Sequence, residues 1–114
     1  MTAEEVFCKL IEKYGEDFNW RMIPFSDKYF VEELKKELGN DDTLFENAVW
    51  AVARSYSNDD VLYLVGSKDG IDVYRIYHLT YSSTNTNRFP RYQEFVGIEN
   101  VRDYIEKQYM EEQG

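Results

Sequence analysis

The sequence predicts an α+β domain in which an antiparallel sheet of three to four strands packs with two N-terminal helices and one C-terminal helix. Three observations carry that expectation. Capped apolar repeats of helical period open the chain, apolar runs separated by tight-turn signals fill its middle, and another helical repeat closes it. The 114 residues fit one domain, 1–114. A chain of this size withdraws roughly two-thirds of its unfolded surface from water, enough for a core without disulfide or metal.

The first helix is expected over 3–14. Thr2 and Glu5 form a T-x-x-E capping box, Val6, Phe7, Leu10, Ile11 and Tyr14 share one face, and Gly15 is the stop. Cys8 falls on the apolar side of that helix in this reading. Residues 18–25, FNWRMIPF, alternate Phe18, Trp20 and Met22 before Pro24, which fits either a short edge strand or an extended linker docking its aromatics on the core. A second helix over 27–38 takes Ser26 as N-cap and Gly39 as its end. Phe30, Val31, Leu34 and Leu38 form its buried stripe, and Glu32, Glu33, Lys35, Lys36 and Glu37 a solvated face.

Thr43 and Glu46 make a second T-x-x-E box, so a turn is expected near 43–47, followed by a strand over 48–56. SNDD at 57–60 is a turn of self-bonding Asn and Asp, and VLYLVG at 61–66 has the continuous apolar run of a buried strand. SKDG at 67–70 contains Asp-Gly, a strong hairpin signal, and IDVYRIYHLTY at 71–81 follows as a long strand. Strands over about 48–81 thus form a meander. SSTNTNRFP at 82–90 is a loop, RYQEFV at 91–96 a further short strand, and 99–112 a helix with Val101, Tyr104, Ile105, Met110 and Tyr109 inward.

Composition narrows the function classes. With 22 acidic against 13 basic residues the net charge is −9, a field that repels nucleic-acid phosphates and anionic membranes and attracts a basic protein. Ten tyrosines in a 17% aromatic chain suit half-buried sheet faces or a binding surface. A single cysteine excludes an internal disulfide. The acidic N-terminus lacks the basic start and apolar run of a signal peptide, and no 18-residue apolar stretch spans a membrane, so a cytoplasmic location is expected.

His78, the only histidine, shares a strand face with Ile76 and Thr80 and reads first as a structural residue. The spelling His78-Leu79-Thr80 resembles the motif of two-histidine phosphoesterases, which need two such motifs. One His and one Cys cannot build a zinc site, and Asp59, Asp60, Asp69 and Asp72 match no calcium loop, so no metal or cofactor is expected. There is no P-loop, G-x-G-x-x-G or G-x-S-x-G. An enzyme reading requires a cleft joining His78 to Tyr77 or Tyr81 and a carboxylate.

NDDVLYLVG, then YRIYHLTYSSTNTNRFPRYQEF, then a closing helix rich in Tyr and Glu resemble small, acidic, single-domain bacterial proteins, among them immunity proteins made beside secreted polymorphic toxins. The best-matched pieces, Asn58 to Asp60, YRIYHLTYS and FPRYQEF, lie within about a third of the chain. The resemblance implies a non-catalytic inhibitor that binds a basic toxin or nuclease and occludes its site. The expected contact regions are the acidic residues Glu37, Asp41, Asp42 and Glu46, and the loop carrying Asn85 and Arg88 together with Tyr81. The alternative is a general interaction module forming a twofold homodimer through an exposed edge strand or the aromatic segment 18–25.

Overall fold

A computed structural model of the chain describes residues 2–24, 26–38, 49–79 and 91–113. Helix α1 (Ala3–Tyr14) begins where the Thr2 hydroxyl accepts the Glu5 N–H at 3.1 Å and ends at Gly15, whose φ of 78° needs no Cβ and whose N–H returns to the Ile11 carbonyl. A single 3₁₀ turn (Gly15–Asp17) leads into strand β1 (Trp20–Met22). Helix α2 spans Tyr29–Leu38, then β2 (Trp50–Ser55), β3 (Asp60–Lys68), β4 (Ile71–His78), β5 (Arg91–Val96) and α3 (Ile98–Gln113).

The strands form one sheet in the order β1-β2-β3-β4-β5, every neighbouring pair antiparallel. The expected α+β class holds, with five strands instead of three to four. Residues 20–22 supply the extra one, pairing with Ser55 to Ala53 until Pro24, which has no N–H, follows. The β3–β4 turn has positive φ at both Asp69 (53°) and Gly70 (79°), the primed geometry that matches strand twist.

Helices cover both faces. On one side α1 and α3 pack over the sheet, joining Val6, Phe7, Leu10, Trp20, Ala53, Leu62, Tyr74, Ile76, Val101 and Ile105 in one cluster. On the other, α2 brings Phe30 and Leu34 onto Ile23, Val61, Tyr63, Val65, Val73, Tyr77 and Leu79. Alternate residues of β3 therefore serve different cores, which is why its sequence is continuously apolar. Lys13 and Tyr14 of α1 meet Glu106 of α3, each at 2.7 Å. Hydrogen bonds from Lys13 and then Tyr14 hold the Glu106 carboxyl below its usual range.

Four local expectations are corrected. Cys8 is exposed, because it lies about 150° round the helix from the centre of the face formed by Val6, Phe7 and Leu10. Asp27, not Ser26, binds the start of α2, its carboxylate accepting the Tyr29 N–H at 3.0 Å. Glu33 and Glu37 are buried beside Phe30 and Leu34 instead of solvated, each three residues beyond one of them, and Glu33 Oε2 makes no hydrogen bond. Met110 is exposed, since Val101, Ile105 and Tyr109 recur at i+4 and complete the buried stripe without it. The expected turn at 43–47 and loop at 82–90 lie outside the described residues.

Candidate protein-binding surface

The α2 layer stops over β4. Val73 and Tyr77 are buried beneath it, yet their direct partners on β5, Val96 and Tyr92, are 38% and 51% exposed. Ile71, at the start of β4 on the same side, is 50% exposed. A strip of apolar side chains is therefore open along this edge of the sheet, and five of the six β5 residues are exposed.

Polar groups fix the strip's shape. Arg75 donates to Glu94 Oε1 at 2.9 Å and to the Tyr77 hydroxyl at 2.7 Å, and its guanidinium lies 4.4 Å from the Tyr92 ring centre. Tyr92 also packs on Tyr77, ring centres 5.1 Å apart. The guanidinium is thus held by a carboxylate, a phenol and a ring face, so Tyr92 is presented in one orientation without folding work left for a partner to do. Tyr and Arg flanked by aliphatic residues is the composition of interface centres.

On the opposite side of the sheet, at the end of β4, His78 Nδ1 lies 2.7 Å from Asp60 Oδ1. Asp60 is buried and its N–H donates to Asn58 Oδ1, while the His78 side chain is 57% exposed. A carboxylate only accepts, so Nδ1 carries the proton. Burial, and then the Asp60 charge, push the Tyr104 hydroxyl above its usual pKa. Arg91 faces His78 across the strands.

The dyad has the orientation a general base needs. Tyr77, however, is on the other face and bonded to Arg75, so the cleft required for the enzyme reading does not form between His78 and Tyr77. Among the described residues no three His, Cys, Asp or Glu gather to hold a metal ion. The dyad's local role is cross-strand pairing. His78→Ala is expected to cost about 1 kcal/mol, because it strips a buried carboxylate that water reaches only in part. Urea melts showing less than about 0.5 kcal/mol change would mean solvent replaces the ring fully.

A groove of about 440 Å³ opens where β1 ends and β2 continues, between α2 and the start of α1, with Met22, Val31, Val52, Leu64 and Tyr74 among its walls. Phe18 and Trp20 are buried in the α1–α3 core, so these two rings of the segment 18–25 are not available for self-association. Of the expected contact residues, Glu37 is buried in α2, and Asp41, Asp42, Glu46, Tyr81, Asn85 and Arg88 lie outside the described residues. Ile71, Arg75, Tyr92, Glu94 and Val96 are not among the contact residues expected from the sequence. The available signal was RYQEFV itself, a strand with polar residues on both faces, as an exposed edge strand has.

No helix among the described residues is long and apolar enough to cross a membrane. Comparison of the chain with family models, curated proteins and solved structures returns no match.

Proposed function

We propose that this chain is a non-catalytic protein-binding domain, and that it acts as an immunity-type inhibitor, neutralising a basic toxin or nuclease by direct binding. The observation that carries the reading is the open strip on β4 and β5, where Tyr92 and Val96 are exposed beside the preset Arg75–Glu94 pair. The net charge of −9 supports a basic partner, because complementary fields raise encounter rates and reject anionic competitors. The resemblance to immunity proteins points the same way.

The test is capture from native lysate on the tagged chain, washed at low and then high salt, beside the double variant Tyr92→Ser/Val96→Ser. The expected result is one basic protein, released by salt and inhibited in its own activity by the purified chain. The double variant should bind it at least about thirtyfold more weakly, the loss of a hot spot. A wild-type chain that retains no stoichiometric partner refutes the reading. Equal retention by the variant refutes this surface.

A further inference from the structure

The hydrogen-bonding phase of β5 follows from one bond at its end. The Gly97 N–H donates to the Asp72 carbonyl at 2.8 Å, one step beyond the Val73–Val96 pair. In an antiparallel ladder, residues bonded to the neighbouring strand alternate with residues whose N–H and C=O point away from it. The register runs unbroken from Val73–Val96 to His78–Arg91. Phe95, Gln93 and Arg91 therefore bond to β4, and Tyr92, Glu94 and Val96 turn their main-chain groups outward. No described strand pairs with that edge. The same three residues carry their side chains on the α2 side, so the outward amides and the exposed strip coincide.

We propose that β5 takes an extended segment of a basic protein as a sixth, antiparallel strand. This rests on the protein-binding reading above and names how the partner is held. The added strand bonds to the N–H and C=O groups of Tyr92, Glu94 and Val96. Directly opposite them it places apolar, basic and apolar side chains, because Glu94 sits between two apolar neighbours and opposite charges across a pair stabilise it. The Arg75 bridge uses Glu94 Oε1, and a carboxylate has further lone pairs for a second cation on its open side.

A second copy of this chain is the poorer occupant. A twofold axis normal to the sheet that sets Tyr92 against Val96 must pass through Glu94, bringing two carboxylates face to face. Moving the axis to Gln93 sets Tyr92 against Glu94 and no longer pairs the two apolar side chains. Two chains of charge −9 also repel.

The probe is a cyclic β-hairpin peptide whose outer strand reads Thr-Val-Thr-Lys-Thr-Val-Thr, preorganised so that weak pairing is detectable. Titration into the ¹⁵N-labelled chain should shift the Tyr92, Glu94 and Val96 amides, and the same peptide with Glu for Lys should bind about fivefold to tenfold more weakly. Glu94→Lys should reverse that preference. Glu94→Pro removes an outward N–H and no main-chain bond to β4, and of the side-chain ties it loses the half-exposed Arg75–Glu94 bridge, so it should abolish binding while the chain still unfolds in one cooperative transition. Absence of binding at millimolar peptide, shifts centred elsewhere, or indifference to the Lys–Glu exchange would overturn the proposal. So would light scattering that finds a dimer in the wild type and a monomer in Glu94→Pro, which would make the second copy the occupant. In the lysate capture, a partner still held by Glu94→Pro overturns strand addition and leaves the protein-binding reading standing, whereas no partner on the wild type removes that reading itself.

Discussion

Trp20→Ala should lower the unfolding free energy by about 3–5 kcal/mol, a large part of the roughly 5–15 kcal/mol that holds a domain of this size together. Trp20 is fully buried, with its ring centre 6.4 Å from that of Phe7, and it joins the three-residue strand β1 to the α1–α3 layer. The backbone around it cannot easily close the void. Asn19 O accepts from Tyr56 N–H, Ile23 N–H donates to Val52 O, and Arg21 donates to the carbonyls of Glu16, Phe18 and Trp20. The indole's loss should therefore leave a cavity instead of a collapse. Urea denaturation should show a lower midpoint with an unchanged slope, while Met22→Ala, on the same face but at the exposed end of the strand, should stay within about 0.5 kcal/mol. A Trp20→Ala cost below about 1 kcal/mol would mean that β1 is not docked. At urea well below the transition the variant should bind a partner at β5 as the wild type does, since the two edges lie on opposite ends of the sheet.

Local rules carried much of the fold. Helix α1 was legible from end to end, because the Thr2 cap, the apolar face and Gly15 agree. Asp69-Gly70 named the β3–β4 hairpin, and α3 followed from its period, although Met110 and Tyr109 are adjacent and only packing chose between them. What could not be read depends on register and sheet order. Lys68–Ile71, Ser67–Asp72 and Gly66–Val73 pair with one offset, and Leu64–Tyr74 through Asp60–His78 with another, a one-residue bulge apart. Without that bulge His78 would face Val61, and the apolar residues of β3 would change sides. The Asp60–His78 pair, eighteen residues apart in sequence, thus hangs on a bulge with no local signature beyond Gly66. Burial of Glu33 and Glu37 was hidden for a related reason. Both flank the α2 stripe, and only the position of the sheet says which flank is covered. The binding strip needed the same knowledge, since Tyr92 and Val96 are exposed only because β5 is last in the order and α2 does not reach it.

Leu34→Ala should cost about 2–5 kcal/mol, and its effect should be spatially uneven. Leu34 is fully buried among Ile23, Phe30, Val61, Tyr63, Val65, Val73, Tyr77 and Leu79, on the one helix that covers this face among the described residues. The other face has two helices that brace each other through the Lys13–Glu106 bridge and the Tyr14–Tyr109 ring contact, centres 4.7 Å apart. For α2 the ties include the Tyr63 hydroxyl on the Phe30 carbonyl at 2.7 Å and the Arg54 guanidinium 5.2 Å from the Phe30 ring centre. Leu34 lies one turn beyond Phe30 and is the largest apolar anchor of the middle of the helix, so truncating it should loosen α2 before the rest of the molecule opens. Hydrogen exchange in α2 should accelerate while α1 and α3 stay near wild-type rates, and dye binding should report Val61, Tyr63 and Val65 becoming accessible. Equal acceleration in all three helices would show one cooperative unit and sink this expectation. If α2 does release alone, the uncovered face joins the strip at Ile71, Tyr92 and Val96, because all lie on the same side of the sheet. The variant should then associate without charge selectivity, which would show that α2 limits the apolar area left open for a partner on β5.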